Sequence, residues 1–185
     1  MTTTTMKLSV NLMEKTAVYI ANCLINIGFR IEHLRVGSDY MRRHLERIEA
    51  GFKTWASEFA LETVVYEIYS PQADKAYEKG VVTLEYYADP TEEQEDVKPV
   101  PTEDLETLCQ RLTKLPDDAK FRVVVTLGPN ASTVPGWTST YLRELMGGAK
   151  EDVDVGSFGF GHASGTLQYR IGNWSEEQQG QPNEN

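Results

Sequence analysis

The stretch VDVGSFGFGHASGTLQYRIGNW, residues 153–174, decides how this chain is read. Gly156, Gly159, Gly161 and Gly165 crowd together between Val155 and Gly165. Leu167, Tyr169 and Ile171 then alternate with polar residues, the period of a strand with one buried face. Two chemistries compete for it: a glycine loop that cradles phosphate, or a pliable segment that travels before docking as a strand. Gly159, Gly161 and Gly165 form GxGxxxG, one residue off the dinucleotide fingerprint. That fingerprint works by leading a strand into a helix whose N-terminus faces the pyrophosphate. Here TLQYRIG has period two, and no Lys-Ser/Thr pair closes a Walker loop, so nucleotide binding is set aside. An ordinary glycine-rich turn before a permanent last strand stands beside the travelling segment as the simpler alternative.

Working backwards, KFRVVVTLG (120–128) is the clearest strand: Phe121, Val123, Val125 and Leu127 share one face, Arg122, Val124 and Thr126 the other. GWTSTYLRELMGG between it and the glycine stretch is expected as a short helix ending at Gly147-Gly148. ETVVYEIYS (62–70) and GVVTLEYYA (80–88) are β-branched and aromatic, hence a hairpin with an elaborated connection. Three helices are expected. The first runs from about Leu8 to Ile27 with Gly28 as its cap; the second, capped by Asp39, carries Met41, Leu45, Ile48, Phe52, Trp55 and Phe59; the third starts at Thr102 and buries Leu105, Leu108, Cys109 and Leu112. Helices and strands do not alternate as βαβ units, so the class is α+β.

The chain has 185 residues and a formal net charge of −10, which argues against direct nucleic-acid binding. Residues 1–60 carry eight Lys/Arg against six Asp/Glu, net +2, and the rest carries ten against twenty-two, net −12. Arg42, Arg43 and Arg47 therefore stand out, as a solvated helix face or a docking patch for a partner. No apolar run reaches the roughly 18 residues of a membrane span. The start, MTTTTMKLSV, has no basic-then-apolar leader, so a cytoplasmic protein is expected. Cys23 and Cys109 match no metal or redox spacing and read as buried reduced thiols.

Catalytic constellations fail in turn. His33, His44 and His162 sit in no metal motif, and no serine lies in a GxSxG elbow. The acidic DPTEEQEDVKP (89–99) reads as a solvated loop rather than a metal site. Glu67 and Glu85 fall on neighbouring strands, where exposed carboxylates are the ordinary explanation. Pairing Cys109 with His162 has no support in the spacing. No catalytic residue, metal or cofactor is expected. The aromatics Tyr66, Tyr69, Tyr86, Tyr87, Trp137, Phe158 and Phe160 lie among carboxylates rather than cations, which suits core packing plus a peptide-recognition surface better than a nucleic-acid platform.

The order of EIYSPQADK after a long helix, then LPDDAKFRVVV, then VPGW and a glycine-rich last strand resembles the bacterial HORMA-domain proteins over residues 9–171. Those are encoded beside cyclic-oligonucleotide synthases (CD-NTases) in CBASS antiphage operons. The resemblance implies three main helices on a mainly antiparallel sheet, with a mobile C-terminal safety belt that closes over a closure-motif peptide. It divides the chain into a flexible start (1–8), a HORMA core (9–128), a belt (129–172) and a disordered tail (173–185). Phe121, Arg122, Val123, Val124, Val125, Thr126 and Leu127 would receive the peptide. Val81–Tyr87 would receive the belt strand Thr166–Ile171, and Gly136, Trp137, Gly159, Phe160, Gly161, Leu167, Tyr169 and Ile171 would be the belt's working residues. The implied role is a non-enzymatic switch: closed, it binds and activates the synthase, and an AAA+ ATPase reopens it, with Thr2–Lys7 as a candidate handle. A tail such as this one can serve a second HORMA protein as closure motif. The alternative is a HORMA-like adaptor fixed in one state.

Overall fold

The computed structural model describes residues 2–175, with side chains from Asn11 onward. Its elements are α1 (Thr2–Arg35), α2 (Tyr40–Arg43), α3 (Leu45–Ser57), β1 (Leu61–Ser70), β2 (Lys75–Tyr86), α4 (Glu92–Glu95), α5 (Thr102–Arg111), β3 (Lys120–Leu127), β4 (Ala149–Phe160) and β5 (Ala163–Gly172). The five strands form one antiparallel sheet in the order β3-β1-β2-β5-β4. Helices α1, α3 and α5 cover one face and bury Ile20, Leu24, Ile27 and Ile31 of α1 against Tyr66, Val82 and Leu167 of the sheet. The class and the three main helices are as expected.

The helix boundaries differ from the sequence reading, for tertiary reasons. α1 passes straight through Gly28, which serves packing rather than termination. A Cβ there would lie 2.7 Å from Met41 Cε and 3.0 Å from Tyr66 Cε1. The stop comes at Gly37, whose φ of +72° lets its N–H reach the Glu32 carbonyl at 2.7 Å. At the other end helical backbone begins at Thr2, within the start expected to be flexible.

The second expected helix breaks at His44 into α2 and α3. Asp39 makes no side-chain cap bond. Glu32, 2% exposed on α1, caps the segment instead, accepting from Tyr40 N (2.6 Å), Met41 N (2.9 Å) and Ser38 Oγ (2.5 Å). Phe59, placed in the helical seam by its spacing, falls beyond Ser57 with φ +56° and stacks on Tyr86 at 4.8 Å.

Two loops also depart from expectation. The β1–β2 connection is a tight turn at residues 71–74, because β2 begins at Lys75 rather than near Gly80. The acidic 89–99 segment holds the single turn α4, closed by a Thr91–Gln94 capping box, and Lys98 pairs with Gly159. The segment expected as a short helix before Gly147-Gly148 is irregular; its side chains are held by distant partners, Trp137 by Arg47 O, Tyr141 by Asp74 and Arg143 by Glu67. The glycine stretch itself is the end of β4 and a hairpin into β5. Only Gly156 (φ +142°) and Gly161 (φ +63°) use backbone that other residues avoid. Gly159 and Gly165 instead clear room, Gly165 for the Phe158 ring.

Beyond β5, Asn173 N donates to Gly148 O at 2.9 Å and Trp174 packs edge-on against Tyr77 at 5.1 Å. The first residues of the expected disordered tail are thus seated; 176–185 lie outside the described residues.

Candidate functional site

β3 lies at one edge of the sheet, paired on one side to β1. An edge strand offers unpaired backbone groups to any chain that fits alongside. Natural sheets normally blunt such an edge, so what covers this one decides what it can do. The cover is the 20-odd residues between β3 and β4, which arch from the helical face of the sheet around the edge to the opposite face.

The arch starts on α3. Trp55 Nε1 donates to Ser132 O at 2.7 Å, and Trp137 Nε1 donates to Arg47 O at 3.0 Å. The two indoles meet edge-on at 5.0 Å, and Trp137 fits only because Gly51 has no side chain. Arg47 closes over the outside: its guanidinium lies 5.3 Å from the Trp137 ring and donates to Gly136 O at 3.0 Å and Tyr40 Oη at 3.3 Å.

It ends on the far face. Arg122 of β3 donates to Thr140 Oγ1 at 3.0 Å and Tyr141 O at 2.5 Å, while its Nε reaches Glu67 of β1 at 2.7 Å. Arg143 of the arch reaches the same carboxylate through Nη1 (2.9 Å) and its backbone N–H (3.0 Å), and lies 3.8 Å above the Tyr69 ring. Asp74 accepts from Arg143 Nε at 2.7 Å and Tyr141 Oη at 2.8 Å, and these bonds hold its carboxyl below the ordinary range. Leu145 then bridges to Ala76 at the start of β2, and Lys79 Nζ donates to the Arg143 carbonyl. Burial lowers the Lys79 ammonium below its ordinary pKa.

Apart from the Arg122 side chain, the arch does not pair with β3 as a strand. Among the described residues no backbone hydrogen bond joins 129–144 to β3. The gap is a cleft of about 440 Å³ lined by Val123, Val124, Val125 and Leu127 on one side and by Val134, Trp137, Ser139 and Thr140 on the other, with Trp55 at its floor. All seven residues expected to receive a peptide lie on β3, and four of them line this cleft.

The remaining belt residues sit at the far end of the sheet, on β4, in the β4–β5 turn and on β5, which lies between β2 and the edge strand β4. β5 pairs with β2 in the register Val81↔Gln168, Val82↔Leu167, Thr83↔Thr166, which seats Thr166–Ile171 along β2. Leu167 and Tyr169 are fully buried and Ile171 is 8% exposed. Tyr169 Oη donates to Glu78 at 2.9 Å, and Arg35 of α1 donates to the same carboxylate at 2.7 Å and 2.8 Å. Phe160 packs on Tyr19 at 5.6 Å, and the hairpin tip at Gly161 and His162 is bound by Gln94 O (2.6 Å) and Thr16 Oγ1 (3.1 Å).

The arginine trio does not form one face. Arg42 is solvent-exposed and paired with Asp39 at 2.7 Å, whereas Arg47 is committed to the arch. Burial and the adjacent Arg47 and Arg43 lower the pKa of His44. Glu67, expected as an exposed strand carboxylate, is 0% exposed because Arg122 and Arg143 close over it; it faces Lys79 on β2, not Glu85. The roles of Arg143, Tyr141 and Asp74 at the arch escaped the sequence reading, as did that of Trp55, whose spacing places it only in the helical seam. The signal available was Glu67 itself, an acid in the middle of the strand among apolar and aromatic neighbours. Cys23 and Cys109 are buried free thiols whose pKa burial pushes up to about 11. No group of three or more His, Cys, Asp or Glu could hold a metal among the described residues.

The sequence matches the family described as Bacterial HORMA domain 2 over residues 5–170. The chain belongs to that family. Among curated proteins, none matches it. Its fold is similar to a chain of the mitotic checkpoint complex crystal structure, with TM-score 0.68 at 13% identity over 86% of this chain and 96% of that one. C. elegans HTP-2 bound to the HIM-3 closure motif matches with TM-score 0.60 at 13% identity, covering 90% of this HORMA chain and 91% of the other. The E. coli MS115-1 CdnC:HORMA-deltaN complex matches with TM-score 0.60 at 13% identity, over 88% and 90%. At these identities the likeness is one of fold. No helix among the described residues is long and apolar enough to cross a membrane.

Proposed function

We propose that this HORMA domain is a peptide-binding switch that takes a closure-motif segment as an added strand on β3, beneath the belt. The observation that carries the reading is the cleft: an edge strand bridged by a segment that is moored at both ends and makes no backbone hydrogen bond to it among the described residues. β-Augmentation supplies sequence-tolerant affinity through backbone hydrogen bonds, each contributing a net of roughly 0.5–1.5 kcal/mol. A strand bound by those alone would leave quickly; the arch over it turns escape into a problem of opening the belt. The C. elegans relative is described as bound to a closure motif, which supports the same use of this fold.

In this reading the present arrangement, with β5 docked on β2 and the β3 edge free, is the closed form. Closed and occupied, the domain binds and activates a cyclic-oligonucleotide synthase in antiphage defence, and an AAA+ ATPase returns it to the open form. The E. coli complex of CdnC with a HORMA protein supports the partner class. The protein acts by binding rather than catalysis, in the cytoplasm, and a second HORMA protein is a source of the closure motif. The exposed Arg42 and Arg43 are a docking contact for the synthase.

The test is synthase output. Second-messenger production by a CdnC-type synthase is measured with the HORMA chain, with and without a β3-binding peptide, and after adding the ATPase. Synthesis should require chain and peptide together and decline with ATPase and ATP. Output indifferent to the peptide would overturn the switch. The fixed adaptor remains a second reading because the belt already stands shut, with β5 paired along nine residues of β2. Limited proteolysis separates the two: cleavage within 129–172 that no peptide alters is the adaptor's signature.

A further inference from the structure

We infer that the guest of this domain is a short neutral segment with apolar side chains at alternate positions, flanked by an acidic residue at one end and a basic residue at the other. The inference rests on the reading of β3 as the guest strand and concerns what that strand selects.

The cleft wall has no ionisable side chain. It is built from valines, Leu127, Ala131, two indoles and the hydroxyls Ser132, Thr133, Thr138, Ser139 and Thr140. A strand laid along β3 points alternate side chains to opposite faces of the sheet. Those on the helical side meet the Trp55 and Trp137 indoles alongside Val123, Val125 and Leu127. A charge there would lose its hydration with no partner in return, which disfavours Asp, Glu, Lys and Arg at those positions. Side chains on the other side meet Val124 and the hydroxyls Thr138 and Thr140, which accept small or neutral polar groups. At roughly 3.3 Å per residue, the span from Val123 to Leu127 accommodates about five guest residues.

Opposite charges lie beyond the two ends of the cleft. Lys120 opens β3 and is exposed, with no salt bridge among the described residues. At the other end Glu62 is exposed beside Gly128, and Glu58 is fastened to Ser132, a residue of the cleft wall. A guest acid therefore belongs beside Lys120 and a guest base beside Glu62. Such rim charges act mainly on association rate and orientation. They give a segment held by symmetric backbone bonds a reason to lie one way round.

A displayed library of random eight-residue peptides, selected on the full chain and sequenced, tests this. Selected peptides should show apolar residues at alternating central positions, exclude charge there, and carry opposite charges on the two flanks. Replacing a central apolar residue of a selected peptide by Asp should weaken binding by more than about tenfold, and neutralising either flank by about two- to fivefold. The doubly exchanged variant Lys120→Glu with Glu62→Lys touches only exposed side chains and should select the flank charges in reverse order. Central charges, or flanks indifferent to the exchange, would overturn the inference. Hydrogen exchange at 121–127 keeps the two levels apart. Peptides that protect β3 without the expected pattern sink the specificity alone. Peptides that leave β3 unprotected, or a library that yields none, sink the guest-strand reading with it.

Discussion

Replacing Glu67 by glutamine removes one negative charge from beneath the belt while keeping its shape. Three donors converge on this fully buried carboxylate: Arg122 Nε at 2.7 Å, Arg143 Nη1 at 2.9 Å and the Arg143 backbone N–H at 3.0 Å. Two of the three belong to the belt. Hydrogen bonds to a charged group contribute about 1.5–3 kcal/mol each, and breaking a buried ion pair by removing one partner typically costs about 3–5 kcal/mol. Glutamine keeps one acceptor oxygen but turns an N–H toward two guanidinium groups that are only 13% and 16% exposed. Asp74 still holds Arg143 and Tyr141, so the belt's loss stays near the lower figure, about 3 kcal/mol. At about 1.4 kcal/mol per decade, that raises the population with residues 140–146 undocked by roughly a hundredfold. Amide exchange resolved over 140–146 is the assay, with tryptic cleavage after Arg143 as a second readout. Exchange should accelerate there while β1 and β2 amides outside the site keep their protection. Unchanged exchange at 140–146, or equal acceleration throughout the sheet, would refute the view that Glu67 fastens the belt.

Other consequences can be measured independently. Trp137→Ala removes the indole from the Trp55 edge contact and the bond to Arg47 O; loosening of the first mooring by about 2–3 kcal/mol should appear as faster exchange over 131–139, with α1 unaffected. Gly165→Ala pushes a methyl into the Phe158 ring, which is fully buried; chemical denaturation should show a loss of about 1–3 kcal/mol, and wild-type stability would contradict the tight β4–β5 packing. Cys23 and Cys109, held at about 11 by burial, should have a thiolate fraction at pH 8 about a hundredfold below that of thiols at the ordinary value of 9.0, so alkylation of the folded protein should be slow. Both shifts are upward, so the folded state retains these protons longer than the unfolded chain. Their contribution to stability is therefore complete below about pH 9 and lost as pH rises through about 11, which denaturation midpoints across that range will show.

The core was legible in the sequence because its pattern is local. Period-four and period-three spacing placed Ile48, Phe52 and Trp55 on one side of a helix, and alternation put Phe121 and Val123 on the buried face of β3. The buried face of the last strand was legible for the same reason, Leu167 and Tyr169 being fully buried, whereas its register was not: Thr166–Ile171 lies along Glu78–Thr83 rather than along Val81–Tyr87. Reading failed where a distant residue changed what a local pattern meant. Gly28 looks like a helix end until Met41 and Tyr66 press against it. Asp39 is a good cap residue, yet the Glu32 carboxylate from α1 takes the N–H groups that an N-cap would serve. Glu67 alternates as a solvent-facing residue should, and Arg143, 76 positions away, buries it.

The sequence by itself therefore determined the α+β class, the apolar faces, an acidic molecule poorly suited to nucleic acid, and a final segment able to bend and then pair. Those follow from side-chain chemistry and short-range periodicity, which need no partner to be true. Tertiary structure alone decided that the residues after β3 arch over its edge instead of lying on it, and that the moorings are the Trp55–Trp137 pair on one face and the Glu67 carboxylate on the other. Both depend on contacts between residues more than 70 positions apart, whose free energy exists only once the sheet and helices have brought them together.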